Sequence, residues 1–156
     1  MNQKMKGLFC KMYMLDTNIL IFCMQHPDSA CAARLASHLG KDVCISVVTF
    51  AELEFGIQNS KYPVQSRSAV NRILAGILII DFDRLAAVHY GSILAELKQK
   101  HKDKQNQDRD KMIAAHARSN GYTLVTDNTK DFADIEGLLL DNWREPGDLK
   151  TTSPWA

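Results

Sequence analysis

The sequence predicts a single α/β domain built on a parallel sheet, and three observations carry that reading. Short apolar runs without polar–apolar alternation recur along the chain, as strands do when both faces of a sheet are covered. Stretches with helical apolar spacing separate them, which argues for right-handed crossovers between parallel strands. Acids stand directly after strands or in the first turns of helices, where open α/β sheets place their chemistry. A chain of 156 residues fits one domain.

Met12 to Leu15 runs unbroken into Asp16, and the polar pair Thr17-Asn18 precedes a second apolar run, Ile19 to Phe22. The first reads as strand one. Thr17 to about Met24 reads as a short helix stopped by Pro27. Ser29 to Leu39 follows as a helix, with Gly40 just past its end. Val43 to Ser46 is a second strand, and Phe50, Leu53 and Ile57 have helical spacing. Val64 to Ala75 is helical, Ile77 to Ile80 reads as a third buried strand, and Arg84 to Lys100 forms a long amphipathic helix. Lys98 to Arg109 is polar and reads as an exposed loop. Met112 to Ser119 is helical with Gly121 as its stop, and Thr123 to Thr126 is a fourth strand. A last apolar run, Leu138 to Leu140, leaves a sheet of four to five strands. The domain is expected over residues 12–143, between an N-terminal extension (1–11) and a loose C-terminal tail (144–156).

Composition excludes several classes. The net charge is +1, so contact with a polyanion must come from local basic patches. The four cysteines, Cys10, Cys23, Cys31 and Cys44, form no C-x-x-C pair and sit in apolar settings, which reads as buried reduced thiols. No apolar run approaches the 20 or so residues that cross a bilayer, and residues 1–11 lack the apolar core of a secretion signal, so the cytoplasm is expected. Glycine-loop nucleotide motifs and nucleophile elbows are absent.

Each acid alone has a bland explanation. Asp16 sits where a helix cap belongs. Glu52 fits a capping box, Thr49-Phe-Ala-Glu52. Asp110 opens a helix and meets its dipole, although it projects from the inward stripe of Ile113 and Ala114. Asp127 follows the fourth strand as Asp16 follows the first, or is a solvated turn residue. Asp108, Asp131 and Asp134 read as surface or capping groups. Together the first four are more specific. Carboxylates gathered at one sheet edge repel one another unless a cation joins them. With no Cys/His cluster, a hard oxygen-seeking ion, Mg²⁺ or Mn²⁺, suits them better than zinc. Such an ion at carboxylates suits phosphodiester hydrolysis.

Four segments carry a resemblance: Met14-Leu-Asp-Thr-Asn-Ile-Leu20, Ile45 to Gly56, Asp110 to Ser119 and Leu124 to Phe132. In this order they resemble the PIN-domain family, specifically VapC-type toxins of bacterial toxin–antitoxin pairs. The resemblance implies a PIN-like three-layer α/β/α fold with a central parallel sheet, and Mg²⁺-dependent endoribonuclease activity. It implies tRNA as substrate, initiator tRNA at its anticodon stem-loop in particular. It also implies homodimers and a small VapB-type antitoxin whose C-terminal tail enters the acidic groove. By position, Asp16, Asp110 and Glu52 are then metal ligands, Asp127 a fourth acid, and Thr17 and Asn18 supporting polar groups. The segment before Asp110 departs from the family's Gly/Pro-bearing pattern and makes Asp108 an extra or competing acid.

Lys98, Lys100, Lys102, Lys104 and Arg109 precede the third acid, and Arg118 and Lys130 flank later motifs. Such side chains either position a phosphate backbone or form a solvated face. Phe55, Tyr62 and Trp143 either stack on unpaired bases or pack within the protein. The competing reading is a catalytically silent module that keeps the fold to bind a protein.

Overall fold

The computed structural model describes residues 11–104 and 107–148. Five strands make one all-parallel sheet: β1 (Tyr13–Leu15), β2 (Val43–Ser46), β3 (Leu78–Ile80), β4 (Thr123–Val125) and β5 (Leu139–Asp141), in the order β3-β2-β1-β4-β5. Seven helices connect them: α1 (Thr17–Gln25), α2 (Ala30–His38), α3 (Val47–Gln58), α4 (Pro63–Leu74), α5 (Arg84–Gln99), α6 (Asp108–Asn120) and α7 (Thr129–Phe132).

The two-residue period of the central strands divides the core into two layers. Leu15, Val43, Ile45 and Val125 face α1 to α4, where Ile19, Phe22, Leu53, Ile57 and Val70 are buried with them. Met14, Cys44 and Leu124 face the other way, against Ile93 and Leu97 of α5 and Ile113, Ala114 and Ala117 of α6. The small alanines let α6 lie close to both α5 and the sheet. Helices on both faces give the three-layer α/β/α arrangement that the sequence implies.

Several details differ from the sequence reading. The helix expected from Phe50 starts at Val47, directly after β2, and its cap is Ser46, whose Oγ accepts from the Val48 N–H at 3.1 Å. Thr49 is therefore inside α3, and Glu52 makes no capping box. The strand expected to be buried at residues 77–80 is, among the described residues, an edge strand, with Leu78 and Ile79 exposed at the margin of the sheet. Asp110 is the third residue of α6 rather than its first. Gly121 ends α6 in the left-handed region, φ 68°, as expected of a helix stop. Cys23, Cys31 and Cys44 are buried free thiols, while Cys10 lies outside the described residues, as do residues 1–10 of the expected extension and 149–156 of the expected tail. Among the described residues no helix is long and apolar enough to cross a membrane.

Candidate active site

Parallel strands deliver their carboxyl ends to one edge, and the site is built there. β1 ends at Asp16, which is almost fully buried. Its backbone N–H is tied to the Val125 carbonyl of β4 at 2.9 Å, fixing it at the centre of the sheet. Its Oδ1 caps α1 by accepting from the Thr17 N–H at 2.8 Å, and its Oδ2 accepts from the Thr126 hydroxyl at 2.9 Å. Both oxygens are thus oriented by the chain. Thr17 reaches across to α3, its Oγ1 3.3 Å from Thr49 Oγ1. Asn18, by contrast, sits exposed on the first turn of α1.

The sequence places Glu52 and Asp110 on helices, and the fold turns both toward Asp16. Burial pushes the Asp16 carboxyl up from its ordinary value to about 7, with the Asp110 charge adding to it, and Glu52 less so; the Thr126 and Thr17 hydrogen bonds oppose the rise. Burial raises Asp110 as well, joined by Glu52 and Asp131, while Arg109 and Lys111 offset part of the effect. Glu52 itself lies in an ion pair, its Oε1 3.0 Å from Nε of the exposed Arg109. These three acids share one electrostatic neighbourhood. Among the described residues, however, no three His, Cys, Asp or Glu side chains stand close enough to ligate one ion together.

Asp127 has a different setting. Its Oδ2 lies 2.6 Å from Nη1 of Arg144, and that guanidinium lies over the Phe22 ring, 4.1 Å from its centre. Besides Glu52, an acid in charge contact with Asp110 is Asp131, read from the sequence as a surface or capping group. Lys104, Asn128 and Gln107 all donate to it, which holds its carboxyl down at about 2. Asp108 is exposed, 3.8 Å from the Lys111 ammonium. The sequence assigns Thr126 only to the end of the fourth strand; its place directly after β4 and before Asp127 is the signal for its role beside Asp16. Ser46 and His116 form a further buried pair, Oγ to Nδ1 2.8 Å, and the desolvated imidazole is held below its ordinary pKa.

The basic residues divide likewise. A cavity of about 360 Å³ adjoins Asp110 and Asp131 and is lined by Lys102, Lys104, Lys111 and Lys130 among others. Lys102 and Lys104 bridge the segment after α5 to Asp134 and Asp131, each at 2.7 Å. Lys111 is buried, bonded to Asp103 and to the Lys104 carbonyl. Arg118 is not a free basic group: it is committed to His89, Glu96 and the Glu136 carbonyl. Of the aromatic candidates, Trp143 is core, packed in the layer around α1 and α2, whereas Phe55 and Tyr62 are exposed.

A parallel sheet with a buried carboxylate and two half-buried ones at its carboxyl edge defines an acid-site α/β domain. The PIN domain model matches residues 13–138. The tRNA(fMet)-specific endonuclease VapC of Shigella flexneri is 37% identical over 131 residues, covering 84% of this chain and 97% of that protein. Among solved structures, the DNA-bound VapBC complex of Salmonella typhimurium has a chain that superposes with a TM-score of 0.79 at 32% identity, covering 86% of this chain and 100% of that one. VapBC2 of Rickettsia felis, bound to a promoter DNA fragment, gives 0.78 at 36% identity, covering 85% and 99%. The chain belongs to the PIN-domain family, in its VapC ribonuclease branch.

Proposed function

We propose that this chain is the toxin of a VapBC-type pair, a Mg²⁺-dependent endoribonuclease that cleaves tRNA and is neutralised by a cognate VapB-type antitoxin. The observation that carries the reading is the convergence of Asp16, Asp110 and Glu52 on one sheet edge, where burial and the Asp110 charge push Asp16 up to about 7. A buried carboxylate that faces other acids is relieved by a bound divalent cation. Their donors are all oxygens, which fits Mg²⁺, with Mn²⁺ as a substitute.

Asp16 and Asp110 would hold the ion, with Glu52 joining once it releases Arg109. When bound, the ion supplies water activation and charge neutralisation at the attacked phosphate. The chain's own residues do the rest. Thr126 and the Thr17 N–H keep the Asp16 oxygens aimed, and Thr49 supports Thr17 from α3. Asp131, in charge contact with Asp110, would be a further carboxylate of the site, and Asp127 would join it on releasing Arg144. Lys102, Lys104 and Lys130, on the cavity beside Asp110, are placed to meet RNA phosphates without reading sequence. The homology to a tRNA(fMet)-specific endonuclease makes initiator tRNA the first substrate to test.

The test is incubation of the purified protein with tRNA and Mg²⁺, beside Asp16→Asn. The variant is expected to lose cleavage by about 100-fold or more, since removing a ligand from a metal site removes the activated water. Equal cleavage by both forms sinks the assigned site. Absence of cleavage by the unaltered protein favours the silent interaction module instead.

A further inference from the structure

Two thiols outside the acid site touch each other. Cys23, in the last turns of α1, and Cys31, at the start of α2, are eight residues apart across the corner that contains Pro27. Their sulfurs are 3.6 Å apart, with Cys23 donating to Cys31, and both are buried. A cleft of about 200 Å³ between α1 and α4 has Cys23 in its wall, beside Met24, Ala69 and Arg72. A molecule of peroxide size can therefore reach one member of the pair.

We propose that Cys23 and Cys31 are an oxidant-sensitive dithiol site that closes to a disulfide across the α1–α2 corner on meeting a hydroperoxide. The sulfurs, 3.6 Å apart, must approach by about 1.5 Å to reach the S–S bond length. The contact divides the pair: its hydrogen bond to Cys31, with burial, pushes the Cys23 thiol up. The hydrogen bond from Cys23 pulls the Cys31 thiol below its ordinary pKa, assisted by Arg144 and Arg34, against burial and Asp148. Cys44 is the internal contrast. It lies in the opposite core layer, and burial pushes its thiol up to about 12.

The step balances. Cys31 releases its proton to solvent and, as a thiolate held by the Cys23 S–H, attacks the oxygen of a peroxide that enters by the cleft. The O–O bond breaks, Cys31 becomes a sulfenic acid, and the departing hydroxide takes the Cys23 proton and leaves as water. The Cys23 thiolate then attacks the Cys31 sulfur and displaces hydroxide, which takes back the proton released at the start and leaves as a second water. Two thiols are oxidised by two electrons, and one peroxide is reduced to two waters.

The experiment uses the full chain, reduced, desalted and treated with a few equivalents of hydrogen peroxide. Cyanogen bromide and trypsin separate Cys23 from Cys31 at Met24, and Cys31 from Cys44 at Arg34. The expected product is a Cys23–Cys31 cross-linked peptide, an intact mass lower by about 2 Da, and a Cys44 that still alkylates. The Tm is expected to rise by roughly 5 °C and to return on reduction, because the closed loop restricts the unfolded chain. Cys44→Ser should behave like the unaltered protein, and Cys23→Ser should give no cross-link. Any of three results overturns the proposal: both thiols still alkylating after excess peroxide, oxidation of either to a sulfinic acid without cross-linking, or a disulfide that recruits Cys10 or Cys44 instead. The peptide map of the unaltered chain decides between these even where Cys23→Ser does not fold.

Discussion

Asp16 combines a capping role with a charge that the fold opposes, and its pH behaviour follows from that conflict. In the unfolded chain its carboxyl ionises near 3.8; in the folded chain burial, then Asp110 and Glu52, hold the proton on to about pH 7. The folded state binds more protons across that window, so stability falls as pH rises through it, by at most about 1.4 kcal/mol per pH unit. Without divalent ions, the Tm is expected to fall between pH 5 and pH 8. Asp16→Asn should flatten that slope, and Mg²⁺ should raise the Tm of the unaltered protein at pH 8. A Tm equally steep in pH with and without the Asp16 carboxyl rules this account out. Thr126 belongs to the same scale. Thr126→Val removes one of the two donors on Asp16, and a loss of cleavage of about tenfold with the fold intact is the expected result.

Elements decide where these residues stand. Asp16 reaches the site because β1 is central and its neighbour β4 pins the Asp16 backbone. Asp110 and Glu52 reach it because α6 and α3 both begin near the same sheet edge. α6 depends on its terminus. Gly121 has φ 68°, and a Cβ there would meet nothing within 4 Å. Gly121→Ala therefore tests backbone strain alone and should lower stability by about 1 kcal/mol, read as a denaturation midpoint shift without change in slope. A neutral result would mean that α6 can end in another conformation. The segment after α5 is held differently, by the Lys102–Asp134 and Lys104–Asp131 bridges. These are surface pairs worth up to about 1 kcal/mol each, so they place the basic residues more than they stabilise the fold.

For the whole molecule, the two core layers cover the faces of the sheet and leave the acids at its carboxyl edge. Protein purified alone should cleave tRNA in Mg²⁺, lose that activity in EDTA and regain it when Mg²⁺ is returned. Adding the cognate antitoxin should abolish cleavage in stoichiometric amounts, measured by gel assay of tRNA fragments. Cleavage that persists in excess EDTA removes the divalent ion from the mechanism. The exposed residues of the β3 edge, Leu78 and Ile79, are a reminder that apolarity is not burial. An unalternating run reads as a covered strand, yet a sheet must end somewhere, and the end strand leaves one side bare.

By itself the sequence determined the alternation of strands and helices, the strand at residues 43–46, the stop at Gly121 and the placing of Asp16 at a strand's end. These follow from local physics: apolar periodicity, caps and left-handed glycines act over a few residues, and strand ends carry chemistry wherever parallel sheets form. Tertiary structure alone decided that Ser46 rather than Thr49 caps α3, that Arg144 takes Asp127, that Asp131 stands by Asp110, and that Cys23 meets Cys31. Each of these depends on which distant groups share a buried space, and the low-dielectric competition among those groups has no counterpart in the spacing of residues along a chain.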